Sequence, residues 1–215
     1  MSMEKQIMEA LEWRYAVKKF NPTKKIQQDQ WSVLEQSLLL SPSSYGLQPW
    51  KFLVVQNGEI RKKLTPASWN QTQVEDCSHY VVIATLKKIT EDYIGSFIQS
   101  TAQTRNVEAA TLEGYKKMMM GDLIQGPRSQ VVDHWAQKQS YIAMGNIMHT
   151  AALLKIDSCP MEGIDPKAYD KILELENTDY ASAAAVALGY RSSDDKYQMA
   201  KKVRFPKDQI IKVLM

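Results

Sequence analysis

Tyr80-Val81-Val82-Ile83-Ala84-Thr85-Leu86 is a nearly continuous apolar run of strand length, and the rest of the chain can be placed around it. Such a run is typical of a central β-strand that is covered on both faces. Trp50 to Gln56 (WKFLVVQ) is a second β-rich run, and Ala181 to Tyr190 is a strand of small residues that allows close packing. The sequence therefore predicts a sheet with Tyr80 to Leu86 at its centre.

Apolar residues at helical spacing flank these strands. One predicted helix is long and has apolar residues on several faces, which favours a buried position such as a dimer interface. The spacing predicts helices from about Glu4 to Tyr15, from Trp31 to near Leu40, around Glu59 to Leu64, from Gln130 to Leu154 (the long one) and from Pro166 to Leu175.

Two stretches lie outside this core pattern. Thr90 to Gln125 is polar with helical propensity, so residues 90–128 are interpreted as an excursion from the core and a candidate mobile lid. Asp208 to Met215 is expected to be a final strand or arm, within a C-terminal arm of about 206–215. The order of helices and strands lacks the regular alternation of a doubly wound fold, so residues 1–215 are predicted to form a single α+β domain.

Composition limits the classes of partner. The chain has 215 residues, of which 44% are hydrophobic and 24% charged, and its net charge is only +3. Scattered basic residues predict no nucleic-acid partner, and no apolar stretch is long enough for a membrane span. Two cysteines, Cys77 and Cys159, and an N-terminus without an apolar signal segment favour a cytoplasmic protein.

Familiar catalytic motifs are absent from the sequence. It contains neither GxGxxG nor GxxxxGK[ST] nor GxSxG, and the three histidines (His79, His134 and His149) form no metal-ligand pattern, so no metal site is expected. Nothing supplies a nucleophile beside a base. An enzyme with so few reactive side chains usually takes its chemistry from a cofactor.

Short segments with polar or charged side chains remain as candidates, and each has a structural alternative. In Arg14 to Phe20, Arg14 and Lys18 could bind one anion or simply form a solvated basic helix end. The others are Ser41 to Trp50 (SPSSYGLQPW), a donor-rich loop or a plain helix stop; Asp157 to Gly163 (DSCPMEG), exposed amides or a simple turn; and Lys202 to Pro206 (KVRFP), a cation pair or a charged edge strand.

Taken together and in this order, these segments resemble the nitroreductase family of FMN-dependent NAD(P)H oxidoreductases. The likeness runs from about Ala10 to Phe205 and is most specific in SPSSYGLQPW, in Trp135 to Gly163 (WAQKQSYIAMGNIMHTAALLKIDSCPMEG) and in the closing LGYR and KKVRF. The resemblance implies an α+β sandwich with a central, mostly antiparallel sheet flanked by helices. It also implies an interlocked homodimer that holds FMN between its protomers.

The resemblance carries the family's charged and polar contacts onto positions of this chain. Arg14, Lys202 and Arg204 match residues at the FMN phosphate, and Lys18 and Asn70 match residues at the pyrimidine edge of the flavin. Three positions depart from the family: Ala16 replaces a common serine, Gly46 a common asparagine and Gln73 a lysine found in some members.

Two loops complete the implied site. Pro42, Ser43 and Ser44 match a loop that the other subunit donates. Pro160, Met161, Glu162 and Gly163 match the turn along the flavin, where the backbone amides of Glu162 and Gly163 would face N5 and O4. No side chain is assigned a catalytic role.

The implied activity moves electrons from NADH or NADPH to nitroaromatic, quinone or related small acceptors by a ping-pong cycle. Reductive dehalogenation, pteridine reduction and fragmentation of the flavin itself on the same fold, an FMN-binding module without activity, and an interaction protein are the alternatives. Met118, Met119 and Met120 are candidates to cover the flavin face, and the equal alternative is that they fill a helix–helix seam. The sequence does not distinguish NADH from NADPH.

Overall fold

A computed structural model describes residues 2–215 of the chain and contains one antiparallel sheet. The sheet order is β1-β2-β4-β3, and each neighbouring pair is antiparallel. This confirms the predicted α+β class and the central sheet. The strands are β1 (Trp50–Val55), β2 (His79–Leu86), β3 (Asp157–Met161) and β4 (Tyr180–Gly189).

Strand β2 lies inside the sheet, as its apolar run predicts. Tyr80 to Leu86 are all buried, and β2 pairs with β1 on one side and with β4 on the other. Strand β4 consists largely of alanine, whose small side chains let elements on both faces approach the sheet. A register shift between Ile83 and Ala84 marks a bulge in the β2–β4 pair.

Helices cover both faces of this sheet. Among them α7 corresponds to the long buried helix that the sequence predicts, and α4 was not predicted. The helices are α1 (Met3–Trp13), α2 (Gln28–Leu39), α3 (Gly58–Leu64), α4 (Gln73–Asp76), α5 (Glu91–Arg105), α6 (Glu113–Met120), α7 (Val132–Leu153), α8 (Pro166–Ile172) and α9 (Lys207–Ile210).

Alternation along the strands divides the core into two layers. On one face, Val81 and Ile83 pack with α2 and α7, whose buried residues include Leu34 and Ile147. On the other face, Tyr80 packs with α3, β3 and α8. A helix–sheet–helix sandwich results, in which the inner strands β2 and β4 bury side chains on both faces.

The excursion has a core of its own. Helices α5 and α6 contribute Ile94, Ile98 and Met119 to a cluster that also includes Leu47 and Trp135. These apolar contacts fasten the segment to the start of α7. Within residues 2–215, no helix combines the length and apolarity needed to cross a membrane.

The structure corrects the interpretation of Asp157 to Gly163 as a turn, because Asp157–Met161 forms strand β3 at the edge of the sheet. Val17 N–H donates to the Ser158 carbonyl at 3.3 Å, so the main-chain polar groups of Ser158 face away from β4. Pro160, two residues on, faces the same outer side, where a missing N–H breaks no ladder bond. The sequence does not predict this strand, because its residues are mainly polar or small and lack a β-strand pattern.

In the C-terminal tail the structure contradicts only the strand alternatives. The tail contains the single helical turn α9, and no strand forms in residues 201–215, either at Lys202 to Pro206 or at Asp208 to Met215. Side chains along this arm are exposed, including Phe205 at 75% and Leu214 at 81%.

Candidate anion and cofactor site

The segment after α1 runs along the outer edge of β3. Helix α1 ends at Trp13 because Arg14 adopts extended backbone angles, with φ −71° and ψ 143°. Ala16 then forms a parallel bridge with Ser158, and Phe20 an antiparallel bridge with Arg191. Arg14 to Phe20 is therefore an extended segment rather than a basic helix end, and it lies beside the strand that leads to Gly163.

Three of the predicted cations meet at one cavity. Arg14, Lys202 and Arg204 line a cavity of about 420 Å³, together with Trp13, Tyr15 and other residues of the same two segments. We call it the cation cavity. The Nε atom of Arg14 is buried and has no hydrogen-bond partner within residues 2–215. A buried donor without a partner is unfavourable, so an acceptor that reached it would relieve the cost.

Electrostatics in the cation cavity also favour an anion. Burial lowers the pKa of Arg14, and the charge of Arg204 lowers it further. Burial lowers the pKa of Lys202 as well, followed by the charges of Arg14 and Arg204, while Glu12 opposes the change. Like charges gathered at one cavity repel each other. The attraction of each cation to a bound anion would offset that repulsion.

Two of these cations also hold main-chain atoms. Lys202 Nζ donates to the carbonyls of Leu11 and Arg14. These carbonyls lie at the end of α1, where the last carbonyls of a helix have no partner within the helix and a basic side chain can cap them. Arg204 Nη1 donates to the carbonyl of Val203 at 2.6 Å and makes no other hydrogen bond within residues 2–215. Lys202 therefore fixes the arm to α1, and most of the Arg204 guanidinium stays available.

Lys18 and Gln73 lie on the neighbouring side of β3, around Cys159. Burial raises the pKa of the Cys159 thiol, and the charge of Lys18, a hydrogen bond from Gln73 and the charge of Arg14 oppose the change. The Gln73 side chain is buried at the start of α4. The structure thus brings Lys18, Gln73 and Arg14 to one region, although Lys18 does not line the cation cavity.

The turn after β3 presents free main-chain donors. Neither Glu162 N–H nor Gly163 N–H donates a hydrogen bond within the described chain. The turn is held on both sides: β3 precedes it, and Asp165, whose N–H donates to the Ala67 carbonyl at 2.7 Å, caps α8. A fixed turn with unused N–H groups can bond an acceptor at close range.

Trp69 packs against this turn and was not identified from the sequence. A Cβ atom at Gly163 would lie 2.7 Å from Trp69 Cε3, so a side chain there would require the ring to move. Trp69 and Asn70 both have left-handed backbone angles, with φ 54° and 55°, and Trp69 stays 76% exposed. Consecutive left-handed residues other than glycine are unusual and often mark a functional segment.

Tyr141 on α7 reaches the same turn, and the sequence analysis did not assign it a role either. Its hydroxyl donates to the Glu162 carboxylate. Burial raises the pKa of Tyr141 to about 12, and the bond to Glu162 adds to the shift. The Glu162 carboxylate is thereby held against α7. The spacing between Tyr141 and Glu162 carries no motif that would reveal this contact from the sequence.

The Ser41 to Gln48 loop is built on its own hydrogen bonds. Ser43 Oγ accepts from Gln48 N–H at 2.9 Å, and Gln139 Oε1 on α7 accepts from Ser44 N–H at 2.9 Å. Gly46 has φ +67°, in the left-handed region that glycine adopts without strain. Within residues 2–215, no hydrogen bond joins Pro42, Ser43 or Ser44 to the cation cavity.

The three methionines of α6 have different surroundings. Met119 is fully buried in the excursion's core, Met120 is half-buried beside it, and Met118 is 60% exposed. The seam interpretation therefore describes Met119, while Met118 has the exposure that a cover would need.

A flavin mononucleotide fits the donors on either side of this site. Its phosphate would match the cation cavity with the unpaired Arg14 Nε, and a ring acceptor would match the free amides of Glu162 and Gly163. Both sets lie at the same edge strand, β3, and the Arg14 to Phe20 segment paired with it.

Comparison with known proteins gives a consistent result. The model of the "Nitroreductase family" matches residues 11–190, which ends before Lys202 and Arg204. A curated relative from Staphylococcus saprophyticus, provisionally named an NAD(P)H nitroreductase, is 36% identical over 219 residues. The alignment covers 99% of this chain and 98% of the relative.

Solved structures share the fold at lower identity. A structure from Bacillus subtilis, provisionally named a nitroreductase, superposes with a TM-score of 0.85 at 16% identity and covers 98% of this chain and 100% of its own. Another from Exiguobacterium sibiricum, provisionally named a nitroreductase and solved in complex with FMN, has a TM-score of 0.79 at 21% identity, with 97% of both chains covered.

Proposed function

This chain belongs to the nitroreductase family, and from that premise we propose that it binds FMN and passes electrons from NADH or NADPH to small acceptors. Nitroaromatics, quinones and related compounds are the proposed acceptors. The names of the curated relatives support the nicotinamide donor, and the FMN complex of the Exiguobacterium sibiricum structure supports the cofactor.

The convergence of Arg14, Lys202 and Arg204 on one cavity is the observation that carries the proposal. Two arginines and a lysine without a bound anion repel one another, and Arg14 keeps a buried donor unused. A phosphate removes both costs, because guanidinium groups form charge-assisted hydrogen bonds with its oxygens. Arg14 and Arg204 are proposed to grip the phosphate, with Lys202 anchoring the arm and adding charge.

The turn beside Trp69 is proposed to hold the reactive part of the cofactor. Bound FMN supplies the hydride chemistry that the side chains of this protein lack. Glu162 N–H and Gly163 N–H orient the ring through N5 and O4, and main-chain donors do so without adding a group that titrates. Pro160 and Met161 support the turn, while Lys18, Asn70 and Gln73 are proposed to contact the pyrimidine edge.

One exposed site is proposed to serve donor and acceptor in turn, which is a ping-pong cycle. Trp69 is exposed beside the turn, and Met118 is exposed on the excursion, so both are available to flat ligands. A single site explains why no second nucleotide-binding motif is needed in the sequence.

A homodimer completes the proposed site. Pro42, Ser43 and Ser44 make no hydrogen bond to their own cation cavity, although the family resemblance implies that this loop contacts the cofactor. Contact with the cavity of a second protomer reconciles these facts. The exposed apolar arm, including Phe205, Ile211 and Leu214, would gain cover in such an assembly. We propose the cytoplasm, with its nicotinamide nucleotide pools, as the location.

An anaerobic half-reaction tests this function. The purified protein, reconstituted with FMN, is mixed with NADH or NADPH, and flavin absorbance is followed. We expect bleaching by at least one nucleotide, followed by recovery of colour with a nitroaromatic or quinone. A protein that binds FMN but is not bleached by either nucleotide would be a binding module, and recovery only with a pteridine or with halide release would assign the alternative chemistries.

A further inference from the structure

Asp195 connects the two segments that line the cation cavity. Its side chain is buried, with 2% of the residue exposed. Oδ2 accepts from the Tyr15 hydroxyl at 3.1 Å and from the N–H groups of Lys18 and Lys19 at 2.9 and 3.2 Å. Oδ1 accepts from Tyr197 N–H at 3.0 Å. One carboxylate thus ties the extended segment after α1 to the turn that leads into the arm.

The donors to Asp195 are all neutral groups. Within residues 2–215, Asp195 forms no ion pair, whereas its neighbour Asp194 pairs with Lys19 on the surface. Burial alone raises the pKa of Asp195, but the N–H groups of Tyr197, Lys18 and Lys19 and the Tyr15 hydroxyl lower it overall. The carboxylate therefore stays charged without neutralising Arg14, Lys202 or Arg204.

This arrangement separates anchoring from anion binding. The turn at Lys196–Met199 begins at Asp195. Tyr197 in the turn, and Lys202 and Arg204 after it, line one wall of the cation cavity. Trp13 to Ala16 line the other wall. The hydrogen bonds that Asp195 accepts from both sides hold the two walls together, while the guanidinium groups remain free for a ligand.

We propose that Asp195 is a positioning residue that sets the two walls of the cation cavity and so determines how tightly the phosphate of FMN is bound. This inference rests on the proposed FMN function. It predicts that loss of the carboxylate weakens recognition of the phosphate specifically, rather than recognition of the flavin ring.

Asp195→Asn tests the proposal with little change in volume. Whichever way the amide is turned, its NH₂ group faces an N–H or O–H donor on one wall, so that wall is released. Dissociation constants for FMN and for riboflavin, which lacks the phosphate, are measured by flavin fluorescence. We expect the preference for FMN over riboflavin to fall at least about tenfold, with riboflavin affinity nearly unchanged.

Asp194→Asn is the matched control. It removes an equal charge from the residue next to Asp195, and Asp194 forms an exposed ion pair with Lys19. We expect it to keep the wild-type preference for FMN. Equal weakening of FMN and riboflavin in Asp195→Asn, or an unchanged preference, overturns the positioning role and leaves the proposed function intact. A wild-type protein without any preference for FMN would instead overturn the phosphate site itself.

Tyr15→Phe provides a milder variant if Asp195→Asn does not fold. It removes one of the donors to Oδ2 and leaves the main-chain N–H groups in place. We expect the FMN preference to fall a few-fold, in the same direction. A Tyr15→Phe protein whose FMN preference equals that of the wild type would contradict the proposal.

Discussion

Removal of Arg204 separates the binding role of the cation cavity from its structural cost. Arg204 is exposed and its side chain hydrogen-bonds only to the carbonyl of its neighbour Val203 within residues 2–215, so Arg204→Ala breaks no long-range hydrogen bond there. If the guanidinium grips the FMN phosphate, a charge-assisted hydrogen bond worth about 1.5–3 kcal/mol is lost. At roughly 1.4 kcal/mol per factor of ten, the dissociation constant for FMN should rise about 10- to 150-fold.

The same substitution should not destabilise the protein without cofactor. The charge of Arg204 lowers the pKa of both Arg14 and Lys202, so its removal relieves repulsion in the empty cavity. We expect the melting temperature of the apoprotein to stay equal or rise slightly, while the stabilisation by FMN shrinks.

Fluorescence titration with FMN and thermal unfolding with and without FMN measure both effects. Lys207→Ala, an exposed cation on the same arm outside the cavity lining, is the control for net charge and should behave as wild type. Unchanged FMN retention on dialysis of Arg204→Ala would refute the reasoning, and so would an equal loss in Lys207→Ala.

Further substitutions test the turn, the core and the excursion. Gly163→Ala places Cβ 2.7 Å from Trp69. The free energy of unfolding measured in urea should therefore fall by about 1–3 kcal/mol. Adding Trp69→Ala to the same chain should restore that stability if the ring is the obstacle. Burial lowers the pKa of His79 to about 4, so the neutral ring contributes stability above pH 6.5 that is lost as the pH falls towards 4. His79→Phe, which can keep the stacking on Trp31, should flatten that part of the stability profile, and an unchanged slope would assign it to carboxylates. Met119→Ala should lower stability by about 2–5 kcal/mol, while Met118→Ala should change the KM for the acceptor with less than about 0.5 kcal/mol of stability; the reverse pattern would contradict the roles drawn from their exposure.

Periodicity in the sequence was sufficient for the elements with strong apolar patterns. The sequence predicts Tyr80 to Leu86 as a central strand and Gln130 to Leu154 as a long buried helix. Burial on several faces requires apolar residues at most positions, and this pattern is recognisable in the sequence. Strand β3 was missed because an edge strand tolerates Asp157, Ser158 and Pro160, which resemble a turn in the sequence.

The candidate site was predicted in part. Arg14, Lys202 and Arg204 were grouped through the family resemblance, and the structure brings these three to one cavity. Asp195 could not be identified, because its partners Lys18 and Tyr15 lie 177 and 180 residues away along the chain. Trp69 was missed for a different reason: its role follows from left-handed backbone angles, which side-chain patterns do not encode.

A crystal structure of the protein grown with FMN tests the central claim most directly. The account predicts a phosphate in contact with the guanidinium groups of Arg14 and Arg204, and flavin N5 within hydrogen-bond distance of a main-chain N–H at Glu162 or Gly163. A flavin bound elsewhere, or an unchanged cavity in which Arg14 Nε stays unpaired despite saturating FMN, would contradict it.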